Sequence, residues 1–290
     1  MSRSIDGRVV AITGGARGIG LATAKQLYAA GARVAIGDID GDEAIRAAQA
    51  IGADVLAARL DVTDSPSFRD FLALVERELG TLDVLINNAG IMHIGPMLEE
   101  PDAFARRIVE INILGVMSGM KLALPGMIAR GHGHIINVAS VAGKAPVPGG
   151  ASYAASKAAV VSLTETARVE FAGLGIVFTC VMPSFTATEL IAGTKGTRFV
   201  PTVKPEDVGS AIAAAVSQPR PDVFVPASVG AIVKMQPLLG RKIRDAINRV
   251  LRADRTFLDF DHAARASYEA RISGPVASSE QAAAVASEQR

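Results

Sequence analysis

The chain has 290 residues, 49% of them hydrophobic and 20% charged, a globular balance that excludes a disordered chain and suffices for one large α/β domain or two small ones. A formal net charge of +1 provides no electrostatic footprint for nucleic acid. Cys180 is the single cysteine, which excludes an intramolecular disulfide and a cysteine-built zinc centre and fits a reducing, cytoplasmic setting.

Met1 to Arg8 leads into an apolar run without a secretory-type apolar segment ahead of it. No stretch of about eighteen apolar residues is free of charge, Pro or Gly, so no spanning helix is expected. The chain is expected to be soluble, or at most to rest on a membrane surface.

Val9–Thr13 reads as the first strand. It runs into Thr13-Gly-Gly-Ala-Arg-Gly-Ile-Gly20 and then a helix-period stretch, Ile19–Ala30. Gly14, Gly18 and Gly20 permit a tight turn and a close backbone approach to a pyrophosphate. The helix start, with Arg17 and Ile19 in the turn before it, offers unpaired N–H groups to the phosphate charge. The second strand, Arg33–Gly37, ends at Asp38. A carboxylate there can accept the hydroxyls of an adenosine ribose and would repel a 2′-phosphate, which favours NAD over NADP. Asp40 and Asp42 leave open a merely solvated acidic turn, and Arg17 could neutralise a 2′-phosphate. Asp38 weighs more, because it blocks NADP whereas Arg17 only tolerates it.

Ala44–Ile51 and Ser67–Glu78 read as helices around the third strand, Val55–Leu60, and Leu82–Asn87 is the fourth strand, followed by Asn87-Asn-Ala-Gly90. The fifth strand, His134–Ala139, is followed by Ser140. Tyr153–Leu174 reads as a long helix, with Ile176–Met182 and Asp222–Val225 as the last strands. Several of these strands are almost wholly apolar, as strands covered on both faces must be. Strand–helix alternation of this kind predicts an α/β Rossmann-type fold: a doubly wound parallel sheet of about seven strands between two helical layers, spanning residues 1–230. Ligands of such sheets bind beyond the carboxyl ends of the strands.

Tyr153 and Lys157 stand four apart, so both lie on one helical face. A free tyrosine titrates near pH 10, and serving as a base near neutrality requires its pKa to fall by about 3, roughly 4 kcal/mol. A neighbouring ammonium and a cationic nicotinamide ring both favour the phenolate. Ser140 can hydrogen-bond the substrate oxygen while Tyr153 exchanges its proton.

Taken together, Thr13–Gly20, Asp61 in LDVTD, Asn87–Gly90, Asn112 in EINILG, Ser140, Tyr153 and Lys157 resemble the short-chain dehydrogenase/reductase family in order and spacing, over about residues 5 to 228. The resemblance implies that Asp61 and Val62 flank the adenine and that Asn88, Ala89 and Gly90 lie along the cofactor. It implies that Lys157 also binds the nicotinamide ribose and that Asn112 holds a water linking Lys157 to solvent. Thr188 falls where the family contacts the cofactor carboxamide, with Pro183 and Thr186 beside it. The family usually has Pro-Gly after the sixth strand; here Pro183-Ser-Phe-Thr-Ala-Thr188 stands instead, which puts the pocket shape in question. Homodimers or homotetramers are expected from the resemblance alone.

His132 and His134 lack a carboxylate or cysteine to complete a metal site, so no metal is expected. His93 reads either as a substrate-side residue or as a loop histidine, and Cys180 as an inert core residue. Phe185–Val203, with Gly193 and Gly196 as hinges, would form a lid with Phe185, Leu190, Ile191 and Phe199 beneath it. With Met92, Ile94, Val141 and Val147 nearby, a lipophilic substrate is expected, touching Ser140, His93, Val141 and Phe185.

Residues 231–272 read as a helical extension packed on the domain or on a surface, and 273–290 as a disordered tail. Leu238–Arg252 is basic, with Leu239, Ile243, Ala246, Ile247 and Val250 on one face. Such a helix can dock on its own domain or a neighbouring subunit, the favoured reading, or rest on an anionic membrane. The expected function is hydride transfer between NAD(H) and a lipophilic alcohol, ketone or aldehyde of steroid, retinoid or long-chain type. The alternatives are an NADPH-dependent 3-ketoacyl-type reductase and a non-catalytic dinucleotide-binding scaffold.

Overall fold

The computed structural model describes residues 4–196, 201–250 and 255–273. Its strands are β1 (Val9–Thr13), β2 (Arg33–Asp38), β3 (Leu56–Arg59), β4 (Val84–Asn87), β5 (Gly133–Val138), β6 (Ile176–Pro183) and β7 (Asp222–Val225). They form one parallel sheet in the order β3-β2-β1-β4-β5-β6-β7. The order reverses between β1 and β4, and that reversal opens a crevice at their carboxyl ends.

Alternation along each strand explains the apolar runs. On β1, Val9 and Ala11 join one buried cluster while Val10 and Ile12 join the other. The first cluster receives α3 (Ser65–Leu79), α5 (Val116–Arg130) and α6 (Ala151–Glu170) through Phe68, Met120 and Val160. The second receives α1 (Gly18–Ala29), α2 (Gly41–Ile51) and α7 (Pro205–Ser217) through Leu27, Ala47 and Ile212. A sheet dry on both faces needs no polar alternation.

The helices differ from expectation in a few places. The helix expected from Tyr153 begins at Ala151, which puts Tyr153 in its first turn. It stops at Glu170, and Gly173 and Gly175, both with positive φ, turn the chain into β6. A further helix, absent from the sequence reading, runs from α4 (Asp102–Val109) through a π-helical turn, Glu110–Gly115, into α5. The whole stretch Asp102–Arg130 is long and apolar enough to cross a membrane by length and composition, yet Val116, Met120, Leu124 and Met127 are buried against the sheet.

The extension divides in two. The expected boundary at residue 230 falls inside α8 (Ala227–Met235), which is followed by α9 (Arg241–Val250). Ile243 and Val250 of α9 are 54% and 64% exposed, so α9 does not dock these apolar residues on its own domain. By contrast α10, residues 262–273, buries Arg265, Tyr268 and Ile272 against the body of the protein. The expected tail beyond Ser273, the lid residue Phe199 and the basic residue Arg252 lie outside the described residues.

Candidate active site

A cavity of about 1010 Å³ opens over the carboxyl ends of the strands, enough for a dinucleotide with a small substrate. Gly14, Arg17, Gly18, Ile19, Asp38, Asp61, Val62, Asn88, Ala89, Gly90, Pro183, Thr186 and Thr188 all line it, together with Ser140, Tyr153 and Lys157. Gly20 is not on its wall. A Cβ at Gly20 would stand 2.1 Å from the Gly14 carbonyl oxygen, so this glycine lets the turn close upon itself.

The turn is braced from the neighbouring strands. Thr13 Oγ1 accepts the N–H groups of Asn88 and Ala89, each at 3.0 Å, and Asn88 Nδ2 donates to the Thr13 and Gly14 carbonyls, each at 2.9 Å. Asn88 therefore holds the β1 turn to the β4 turn as well as lining the cavity. The start of α1 has no side-chain cap, whereas Asp40 and Asp64 cap α2 and α3. Its first N–H groups and dipole are thus left for an anion. These residues fit a dinucleotide pyrophosphate.

Asp38 also does more than its sequence position suggests. Its Oδ2 accepts the Ala16 N–H at 3.1 Å and its Oδ1 the Asp40 N–H at 3.2 Å. Burial pushes its carboxyl above the usual range, while these N–H groups and Arg17 pull it back. Arg17 itself is taken by Asp40 in a 2.7 Å ion pair.

At the catalytic end, Lys157 Nζ donates to the Val138 carbonyl at 2.8 Å and lies 5.7 Å from the centroid of the Tyr153 ring. Ser140 accepts the Ala142 N–H at 3.1 Å and donates to the Pro183 carbonyl at 3.4 Å, which aims its hydroxyl along the cavity floor. Asn112 sits in the π-turn, fully buried. Its Oδ1 accepts the Ile91 N–H at 2.9 Å, and Nδ2 donates to the Ile91 carbonyl at 3.0 Å and to Ser156 Oγ at 2.9 Å. Both amide hydrogens are engaged, so the side chain anchors the loop after β4 to α6. Only one Oδ1 lone pair is left for the relay water that the resemblance implies.

Protonation departs from the sequence expectation. Burial pushes the Tyr153 phenol up to about 12, against the pull of Ser140, and pushes the Lys157 ammonium down to about 8. The protein alone moves the phenol the wrong way for a base, because a dry site disfavours either charge. One consequence is measurable without cofactor. Between about pH 8 and pH 10 the unfolded chain still holds the Lys157 proton, with its ordinary value of 10.5, while the folded site has released it. Stability therefore rises with pH across that window. Above about pH 10 Tyr153 reverses the trend, since the unfolded chain releases the phenol proton that the folded site retains. Thermal melts of the cofactor-free protein should show the rise, and Lys157→Met should lose it.

One end of the cavity is roofed by α10. Tyr268, Arg271 and Ile272 line the cavity. Arg265 is fully buried and donates to the Met92 carbonyl at 2.5 Å, the Leu190 carbonyl at 2.7 Å and Glu269 Oε1 at 3.0 Å. The Tyr268 hydroxyl accepts the Met92 N–H at 2.9 Å, and Arg271 pairs with Glu189. One cation thereby ties the loop after β4, the segment after β6 and α10 together. The sequence gives no local mark for Arg265, Tyr268 or the cavity-lining Arg107, and the Thr13–Gly20 motif does not show that Thr13 Oγ1 braces the turn after β4.

Of the expected substrate residues, only Ser140 lines the cavity; His93, Val141 and Phe185 do not. His93 stacks on Phe104 at 4.7 Å with Nδ1 3.5 Å from Glu269 Oε1, and burial holds its pKa down against that carboxylate. It is packed behind the wall, beneath α10. Phe185 turns onto Phe257, ring centroids 5.5 Å apart, in a buried cluster that includes Tyr153 and Met92. Val141 packs on the core under the sheet. Cys180 is a buried core thiol, pushed up to about 12 by burial.

The family model described as short chain dehydrogenase matches residues 8–197. Cis-4-hydroxycyclohexanecarboxylate dehydrogenase of Sinomonas cyclohexanicum is 41% identical over 67% of this chain and 79% of its own. Human estradiol 17-beta-dehydrogenase 11 is 28% identical over 85% of this chain and 84% of its own. A short-chain dehydrogenase/reductase of Burkholderia phymatum, solved with NAD, superposes with a TM-score of 0.74 at 26% identity, covering 81% of this chain and 94% of that one. With the parallel sheet, the uncapped glycine turn and the Ser140–Tyr153–Lys157 group in one cavity, the chain belongs to the short-chain dehydrogenase/reductase family of NAD(P)-dependent oxidoreductases acting on CH–OH groups.

Proposed function

We propose that this oxidoreductase uses NAD(H) and interconverts a lipophilic, ring-bearing secondary alcohol with its ketone. The observation that carries the cofactor reading is Asp38, whose carboxylate lines the cavity at the end of β2 while the nearest cation, Arg17, is held by Asp40. A 2′-phosphate would meet a negative charge there that Arg17 offsets only in part. The substrate reading rests on the apolar wall near Tyr153, where Met92, Leu190, Ile191 and Ile272 line the cavity. The relatives named for cyclic alcohols support it.

Bound in this cavity, the nicotinamide would exchange a hydride with the substrate carbon, and its oxidised ring would add the positive charge that favours a phenolate. Tyr153 exchanges the proton of the substrate hydroxyl, and Ser140 holds the same oxygen by its hydroxyl. Lys157, fixed to the Val138 carbonyl, sets a cation beside the phenol.

The test is a spectrophotometric screen of alicyclic, steroid and long-chain alcohols with NAD and NADP in parallel. Turnover with ring alcohols and NAD is expected; a wild-type preference for NADP would refute the cofactor reading. Asp38→Ala is expected to raise kcat/KM with NADP by about tenfold or more while weakening NAD, since the substitution removes both a repulsive charge and the acceptor that braces the Ala16 N–H.

A further inference from the structure

We propose that α8 and α9 form a docking surface for an anionic lipid bilayer. Ile232, Met235 and Leu238 are exposed on α8 and the turn after it, and Ile243, Ala246 and Val250 are exposed on α9 at i, i+3 and i+7. An exposed apolar face on a helix is costly in water and marks a contact surface.

The charges say what covers it. From Lys234 to Val250 the chain carries Lys234, Arg241, Lys242, Arg244 and Arg249 against Asp245 alone, while the whole protein is only +1. The rest of the molecule is therefore net negative, and positive charge is gathered on this arm. By helical geometry Arg244 flanks the Ile243–Val250 face on one side, Lys242 and Arg249 flank it on the other, and Arg241 and Asp245 point away from it. Apolar residues between two cationic rows match the acyl boundary and phosphate layer of a membrane. A second copy fits less well. Two-fold pairing along this face would bring the same cationic rows together.

The position suits the chemistry. α8 leaves the carboxyl end of β7, the edge of the sheet over which the cavity opens.

The experiment is co-sedimentation of the full chain with phosphatidylcholine vesicles, alone or with about 30% phosphatidylserine, at low and high salt, beside light scattering for mass. Binding confined to the phosphatidylserine vesicles and weakened by salt is expected. Lys242→Ala and Arg244→Ala should each weaken it about fivefold, and Ile243→Asp should abolish it. Each variant should keep wild-type NADH affinity, which shows that the domain is folded. Equal binding to neutral vesicles, or none to either, overturns the proposal. So does an Ile243→Asp variant that lowers the molecular mass while vesicle binding persists, which would assign the face to a second copy.

Discussion

Tyr153→Phe is expected to lower kcat by about a hundredfold to ten-thousandfold, the usual range for removing a positioned acid–base group. NADH affinity, read by fluorescence titration, should stay within about twofold of wild type, because phenylalanine keeps the ring. That ring is what Met92 and Phe257 pack against, so the variant should also melt close to wild type. Wild-type turnover in Tyr153→Phe would eliminate the proton-transfer role. The alternative of a non-catalytic dinucleotide-binding scaffold would survive only if the wild type also failed to turn over any alcohol. The burial that pushes Tyr153 to about 12 adds a second expectation. The rate of oxidation should rise with pH through a group whose apparent pKa lies well below that value, because catalysis runs with a cation beside the phenol. A profile still rising near pH 12 would show that the phenol is not lowered at all.

Arg265→Met is expected to open the substrate end. Methionine fills similar volume but leaves the Met92 and Leu190 carbonyls without their donor and Glu269 without its partner. Unsatisfied buried acceptors of this kind cost about 1–3 kcal/mol each, so a loss of about 3 kcal/mol is a fair expectation, or roughly 6–12 °C in Tm for a domain of this size. The loss should be local. KM for the alcohol should rise by at least tenfold and α10 should become open to proteolysis, while NADH affinity is retained, since the nucleotide turn is braced by Thr13 and Asn88 instead. Arg265→Lys should recover only part of it, because an ammonium lacks the planar fork that reaches three acceptors. If KM for alcohol and affinity for NADH fell together, Arg265 would be a general stabiliser and α10 no roof.

The sheet was legible because its signals are local. Short apolar runs bounded by Gly, Pro or Asp mark most of the strands, and the central ones are buried on both faces. The glycine turn, Asp38 at the end of β2 and the spacing of Tyr153 and Lys157 are likewise patterns within a few residues, and the fold brought them into one cavity. His93 and Phe185 misled for the opposite reason. Both follow strand ends closely, but a side chain after a strand can turn to either side, and here both turned away from the cavity to pack under residues far along the chain.

The amino-acid sequence by itself determined the doubly wound sheet, the glycine-rich turn and the candidate catalytic side chains, since each rests on hydrophobic period, backbone freedom or helical spacing. Only the tertiary structure decided the pairing of Arg17 with Asp40, the anchoring of Ile91 by Asn112 and the roof that Arg265 ties over one end of the cavity. It also decided the burial that pushes Tyr153 up and Lys157 down. Those are matters of desolvation and of partners separated by as many as 173 residues, and no local pattern encodes which carbonyl a buried cation will find.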